Sequence, residues 1–104
     1  FRPKSKTFLN NIFINLEAEN HYQVYMSPGL GCGFYALSDN VNLLYKISKS
    51  YGENNEIGIM WNDPELNINW PSNNPIVSEK DKNNYFIKDI NFQNYNDLER
   101  LECL

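Results

Sequence analysis

The sequence predicts an all-β fold, a sandwich or barrel of short strands. Three observations carry this expectation. Apolar and polar side chains alternate along two segments, which is the period of a strand. β-Branched and aromatic residues fill further short runs, where they suit a pleated surface. Turn residues recur at short intervals between these runs, as they do in sandwiches and barrels.

Ile12, Ile14 and Leu16 share one face of the first strand, with Phe13, Asn15 and Glu17 on the other. His21 to Met26 (HYQVYM) reads as a second strand, and Ser27-Pro28-Gly29 as a turn after it. Cys32 to Leu37 (CGFYAL) is a third strand, closed by a turn at Ser38-Asp39-Asn40. Val41, Leu43, Tyr45 and Ile47 alternate with Asn42, Leu44, Lys46 and Ser48, which predicts a fourth. A loop at Gly52 to Asn55 leads into a fifth, Glu56 to Trp61 (EIGIMW). Leu66 to Trp70 (LNINW) is a short extended segment stopped by Pro71. Ser78-Glu79-Lys80-Asp81 has the S-x-x-D spacing of a capping box, so a short helix is expected there. The tail over 91–104, ending NDLERLECL, is the other helical candidate. A closed or double-layered sheet is the arrangement that best disposes of strand edges.

The 104 residues allow one small domain, and 41% hydrophobic with 21% charged residues is ordinary for a globular chain. The net charge of −4 argues against a nucleic-acid partner, which calls for a basic surface. No apolar run approaches the roughly 18 residues of a membrane span. Cys32 and Cys103 lie in no CxxC or Cys/His spacing, which argues against a disulfide framework or a zinc site. Reduced thiols in a cytoplasmic protein are the plainest reading. No His/Asp/Glu cluster has metal-ligand spacing.

Few residues invite chemistry on local grounds. Tyr45 shares its strand face with Val41, Leu43 and Ile47; on an interior face its hydroxyl needs a partner or acts as a proton donor. Cys32 lies among Gly29, Gly31 and Gly33, which permit a close backbone approach, but no base is placed beside it. His21 is the lone histidine, either an acid–base group or a polar strand residue. Asp81 can orient a histidine or complete the capping box, and the pattern alone favours the box. Glu56 can accept hydrogen bonds from a sugar hydroxyl or stand as a solvated edge charge.

Taken together the segments resemble a known family. The run from Ser27 through Pro28, Gly29, Gly33, Phe34 and Leu37 to Asp39 is similar to its P-x-G-x-x-H-G-F-x-x-L-S-D motif. Leu44-Tyr45-Lys46, Tyr51, Glu56, Gly58-Ile59, Trp61-Asn62-Asp63-Pro64, Ile68-Asn69-Trp70-Pro71 and Ser78-Glu79-Lys80-Asp81 then follow in the family's order. By this resemblance, which runs from about residue 5 to about residue 83, the chain is identified as a member of the dTDP-4-dehydrorhamnose 3,5-epimerases.

The resemblance implies a cupin-type β jelly roll, with one or two short helices near the C-terminus. It implies a homodimer, no metal and no organic cofactor, and a dTDP-4-keto-6-deoxyhexose as substrate. In the family a histidine held by an aspartate removes protons beside the ketone, and a tyrosine returns one from the opposite face. Tyr45 matches that tyrosine and Asp81 that aspartate. Tyr51 and Glu56 match substrate-lining positions, Lys80 a basic position near the diphosphate, and Cys32 the histidine of the H-G-F motif. The family's R-G-x-H-x-Q motif, which carries the base, does not occur in the sequence. The motif order therefore leads us to expect a single domain over 1–104 without its N-terminal strands. Such a chain should be inactive alone and dependent on another chain to cover its open edges. The alternative is a non-catalytic module that binds a sugar nucleotide or assembles with a partner.

Overall fold

The computed structural model describes residues 2–27, 29–48 and 57–90. Among these residues there is no β-sheet, which overturns the expected all-β jelly roll. The regular elements are one helical turn, α1 (Glu79–Lys82), a 3-10 turn (Ile87–Asp89), and one isolated parallel bridge between Ile59 and Tyr85.

The segments read as the first four strands form no ladder. No backbone–backbone hydrogen bond joins residues 11–26 or 31–48 to another described residue, apart from Leu30 N–H to Ser27 O just outside them. The physical reason is that a strand needs a partner. Alternation and β propensity mark a surface that suits a pleat, but the ladder bonds come from a second chain segment at the right register. Without that segment the alternating faces stay in water. Ile12 is 82% exposed and Tyr45 64%, and Val41, Leu43 and Ile47 are exposed as well. Of the fifth expected strand, the described part contributes only the Ile59–Tyr85 bridge.

Local chemistry shapes what does form. Residues 2–10 make successive tight turns, closed by Ser5 N–H to Arg2 O (2.8 Å), Phe8 N–H to Ser5 O (3.2 Å) and Asn10 N–H to Thr7 O (3.0 Å). Asn20 organises a reversal: its Oδ1 accepts from the N–H groups of Tyr22 (3.0 Å) and Glu17 (3.4 Å), and its Nδ2 donates to Asn15 O (3.3 Å). His21 sits in that reversal with φ 52°, so the expected second strand begins as a turn. The Ser27–Gly29 turn is present, with Gly29 at φ 88° and Leu30 N–H on Ser27 O (3.4 Å).

The ordered centre lies in residues 57–90. Asp63 (2% exposed) and Ile87 (4%) are the two buried residues among those described. Trp70 is the aromatic hub. Its Nε1–H donates to Trp61 O at 2.6 Å, and its ring meets Phe13 edge-on (6.4 Å between centroids) and Tyr35 at a tilt (6.3 Å). Asn11 Nδ2 donates to Leu66 O at 2.7 Å, a second tie between the first segment and this centre.

Candidate functional site

The short helix expected at Ser78 forms, with Ser78 as its N-cap. Ser78 is extended (φ −63°, ψ 156°) and its Oγ accepts from Asp81 N–H at 3.1 Å. The same hydroxyl donates to Asp81 Oδ2 at 2.6 Å, so the carboxylate meets the capping side chain rather than the Ser78 backbone N–H of a full box. Asp81 Oδ1 accepts from Asn84 Nδ2 at 3.3 Å. Both carboxylate oxygens are thus engaged by neighbours within one turn, while the side chain stays at the surface. Glu79 and Lys82 pair at 2.5 Å on the same turn, and Lys80 is exposed beside them.

Asp63 is the residue that sequence reasoning missed. Its Oδ1 accepts from the N–H groups of Glu65 (2.8 Å) and Leu66 (3.2 Å), an Asx turn opened by the Asp63-Pro64 pair. Its Oδ2 accepts from Ile87 N–H at 2.7 Å, twenty-four residues away. Two further bonds run beside this one, Met60 N–H to Tyr85 O (2.8 Å) and Tyr85 N–H to Gly58 O (3.3 Å). Together they clamp residues 58–66 onto 84–87, directly after α1. The Asp-Pro pair could have signalled the local turn; nothing local could have named Ile87.

Trp61, Asp63, Asn67 and Trp70 border an open hollow of about 290 Å³. Asn67 adopts φ 46° there, a left-handed conformation that asparagine tolerates. The described residues contain no group of three His, Cys, Asp or Glu side chains able to hold a metal ion. No helix among them is long and apolar enough to cross a membrane.

The expected site residues are thus only partly assembled. Lys80 and Asp81 share α1. Tyr45 does not point into an apolar interior, as its strand face had suggested; its phenol is exposed and makes no hydrogen bond or ring contact to Asp81. Cys32 is an exposed thiol. Tyr51, Glu56, Cys103, the loop over 52–55 and the helical candidate in 91–104 lie outside the described residues.

A profile of the dTDP-4-dehydrorhamnose 3,5-epimerases matches residues 1–89. The chain is 38% identical over 91 residues to a dTDP-4-dehydrorhamnose 3,5-epimerase of Shigella flexneri, covering 88% of this chain and 50% of that protein. It is 40% identical over 82 residues to the enzyme of the same name from Pseudomonas aeruginosa, covering 78% and 45%. It is 36% identical over 83 residues to a dTDP-4-dehydro-6-deoxyglucose 3-epimerase of a Streptomyces species, covering 79% and 42%. The chain spans about half the length of the curated relatives it matches. No solved structure matches it. With the family's profile covering 89 of 104 residues, and relatives at this identity along most of the chain, the chain belongs to the dTDP-4-dehydrorhamnose 3,5-epimerase family.

Proposed function

We propose that this chain forms part of a cofactor-independent epimerase that inverts the carbons beside the ketone of a dTDP-4-keto-6-deoxyhexose. The family match over residues 1–89 is the observation that carries this reading. A ketone acidifies its α-protons, so inversion needs only a base on one face of the sugar and an acid on the other. In this reading Tyr45 is the acid and Asp81 orients the base. Tyr51, Glu56 and Cys32 line the sugar, and Lys80 meets the diphosphate. Two observations support these roles: the Tyr45 phenol is accessible, and both Asp81 carboxylate oxygens accept hydrogen bonds, from Ser78 and Asn84. The R-G-x-H-x-Q motif that carries the family's base is not in the sequence, so the chain alone is inactive. The reading extends to a homodimer in the cytoplasm. Phe13, Tyr25, Phe34 and Leu44 are all more than half exposed, apolar side chains that a second copy would cover.

Cys32, standing where the family has a histidine, favours a second reading: a module that binds the sugar nucleotide without turning it over. The chain is incubated with the dTDP-4-keto sugar in heavy water, with and without added imidazole. The epimerase reading expects saturable binding, no deuterium at C3 or C5 from the chain alone, and deuterium at either carbon once imidazole replaces the missing base. Binding with no exchange in either condition favours the module. Exchange without imidazole overturns the claim of inactivity, and absence of binding overturns both readings.

A further inference from the structure

We infer that Asn84 is the residue that positions the Asp81 carboxylate, and that position 58 is glycine in order to admit the Asn84 side chain. This rests on the reading of Asp81 as the group that orients the base, and it adds a residue to that site. Three observations meet here. First, Ser78 accounts for only one carboxylate oxygen: its Oγ–H takes Oδ2 at 2.6 Å, and Oδ1 is left for Asn84 Nδ2 at 3.3 Å. Second, the same amide nitrogen lies 3.5 Å from Ile59 O. A primary amide carries two N–H groups, so one can serve Asp81 while the other serves Ile59. Third, Asn84 lies flat against Gly58. A methyl group built on Gly58 would overlap the Asn84 side-chain amide.

Gly58 has no left-handed backbone to explain it, since its φ is one that any residue adopts. The demand is for room. The backbone around it is pinned as well: Tyr85 N–H donates to Gly58 O (3.3 Å) and Met60 N–H donates to Tyr85 O (2.8 Å). Tyr85 follows Asn84 directly, so this bridge fixes the Asn84 backbone over Gly58. The result is a relay from the bridge at residues 58–60, through the Asn84 amide, to Asp81 Oδ1. Ser78 sets one oxygen from inside the helical turn, and Asn84 sets the other from outside it.

The test reads the isotope-labelled full chain by NMR, with no sugar present. Gly58→Ala should push the Asn84 amide aside, and Asn84→Ala should remove it. Both variants are expected to shift the Asp81 carboxyl carbon resonance, to free its χ1, and in Gly58→Ala to move the Asn84 side-chain amide signals. The Asp81 backbone N–H, which belongs to Ser78, should keep its position and its protection from exchange. That internal reference separates positioning from folding. A carboxyl shift in both variants with the Asp81 N–H unchanged supports the inference. An unmoved carboxyl in either variant, or a shift that arrives only with loss of the Asp81 N–H protection, overturns it. The heavy-water experiment can fail while this result stands, and this result can fail while the sugar-nucleotide reading stands.

Discussion

Replacing Asp63 with alanine should be the most damaging single change in the described part of the chain. The carboxylate is 2% exposed and accepts three backbone N–H groups, from Glu65, Leu66 and Ile87 at 2.8, 3.2 and 2.7 Å. Those of Glu65 and Leu66 are only part-buried, so water can replace most of what they lose. The Ile87 N–H is buried in a residue only 4% exposed, and no water reaches it without opening the clamp. A hydrogen bond to a charged acceptor contributes about 1.5–3 kcal/mol, and a buried donor left unsatisfied costs about 1–3 kcal/mol. With the two outer bonds partly rehydrated, Asp63→Ala should cost about 3–5 kcal/mol. Asp63→Asn keeps the shape but must turn its NH₂ either toward Ile87 N–H or toward the Asx turn, a donor facing a donor. It should cost about 1–3 kcal/mol. Urea unfolding followed by the emission of Trp61 and Trp70 gives the global value, and amide exchange at Ile87 gives the local one. Asp39→Ala, at an exposed bend, serves as the control. The reasoning is refuted if Asp63→Ala lies within about 0.5 kcal/mol of that control and leaves Ile87 exchange unchanged.

Trp70→Phe removes the Nε1–H bond to Trp61 O but keeps a ring beside Phe13 and Tyr35, so unfolding should shift by about 1 kcal/mol. Trp70→Ala removes the ring contacts as well and should cost about 2 kcal/mol more, read by the same urea titration. Ser78→Ala removes the side-chain cap of α1 and should lower its stability by about 1 kcal/mol, seen as loss of protection at the Asp81 and Lys82 amides. Tyr45→Phe, at an exposed position, should leave unfolding within about 0.5 kcal/mol of the parent while abolishing inversion once residues 41–47 are paired. Sedimentation across a dilution series should show a dimer dissociating, and a single monomeric species at every concentration contradicts the proposed association.

What was legible in the sequence is what the chain decides within a few residues. The Ser78 cap and the helix it starts appear as read, because a hydroxyl three residues from an N–H needs no help from the rest of the fold. The Ser27–Gly29 turn also appears as read, since glycine alone enters φ 88° without strain. The strands failed because alternation at Val41, Leu43, Tyr45 and Ile47 states which faces differ but not what lies opposite. With no partner segment bonded to them, these faces stay exposed and the hydroxyl of Tyr45 never enters an interior. His21 shows the same limit on a smaller scale. Its aromatic and β-branched neighbours suggested a strand, but Asn20 competes for the local N–H groups and turns the chain. The role of Asp63 was half legible: the Asx turn lay in its neighbour Pro64, whereas the bond to Ile87 depends on a contact that no spacing encodes.

The two residues assigned opposite sides of one sugar are therefore held very differently. Asp81 belongs to a fixed unit. Ser78 and Asn84 set its oxygens, the Ile59–Tyr85 bridge sets Asn84, and Asp63 ties the backbone just beyond to residues 63–66. Tyr45 belongs to a segment with no ladder, and the described segment 29–48 reaches that unit through the contact of Tyr35 with Trp70. An acid that must deliver a proton to the face opposite the base needs placement within hydrogen-bond reach of the carbon. On the proposed mechanism, the step that makes the site competent is therefore the fixing of Tyr45. Whatever supplies ladder partners to residues 41–47 would bring the acid into register with Asp81. Inversion and strand pairing should then appear together in one titration, with protection of the amides at Leu43 and Tyr45 rising in step with inversion at the sugar's C3 and C5. Inversion at either carbon that precedes any protection of those amides would separate the two and remove Tyr45 as the acid.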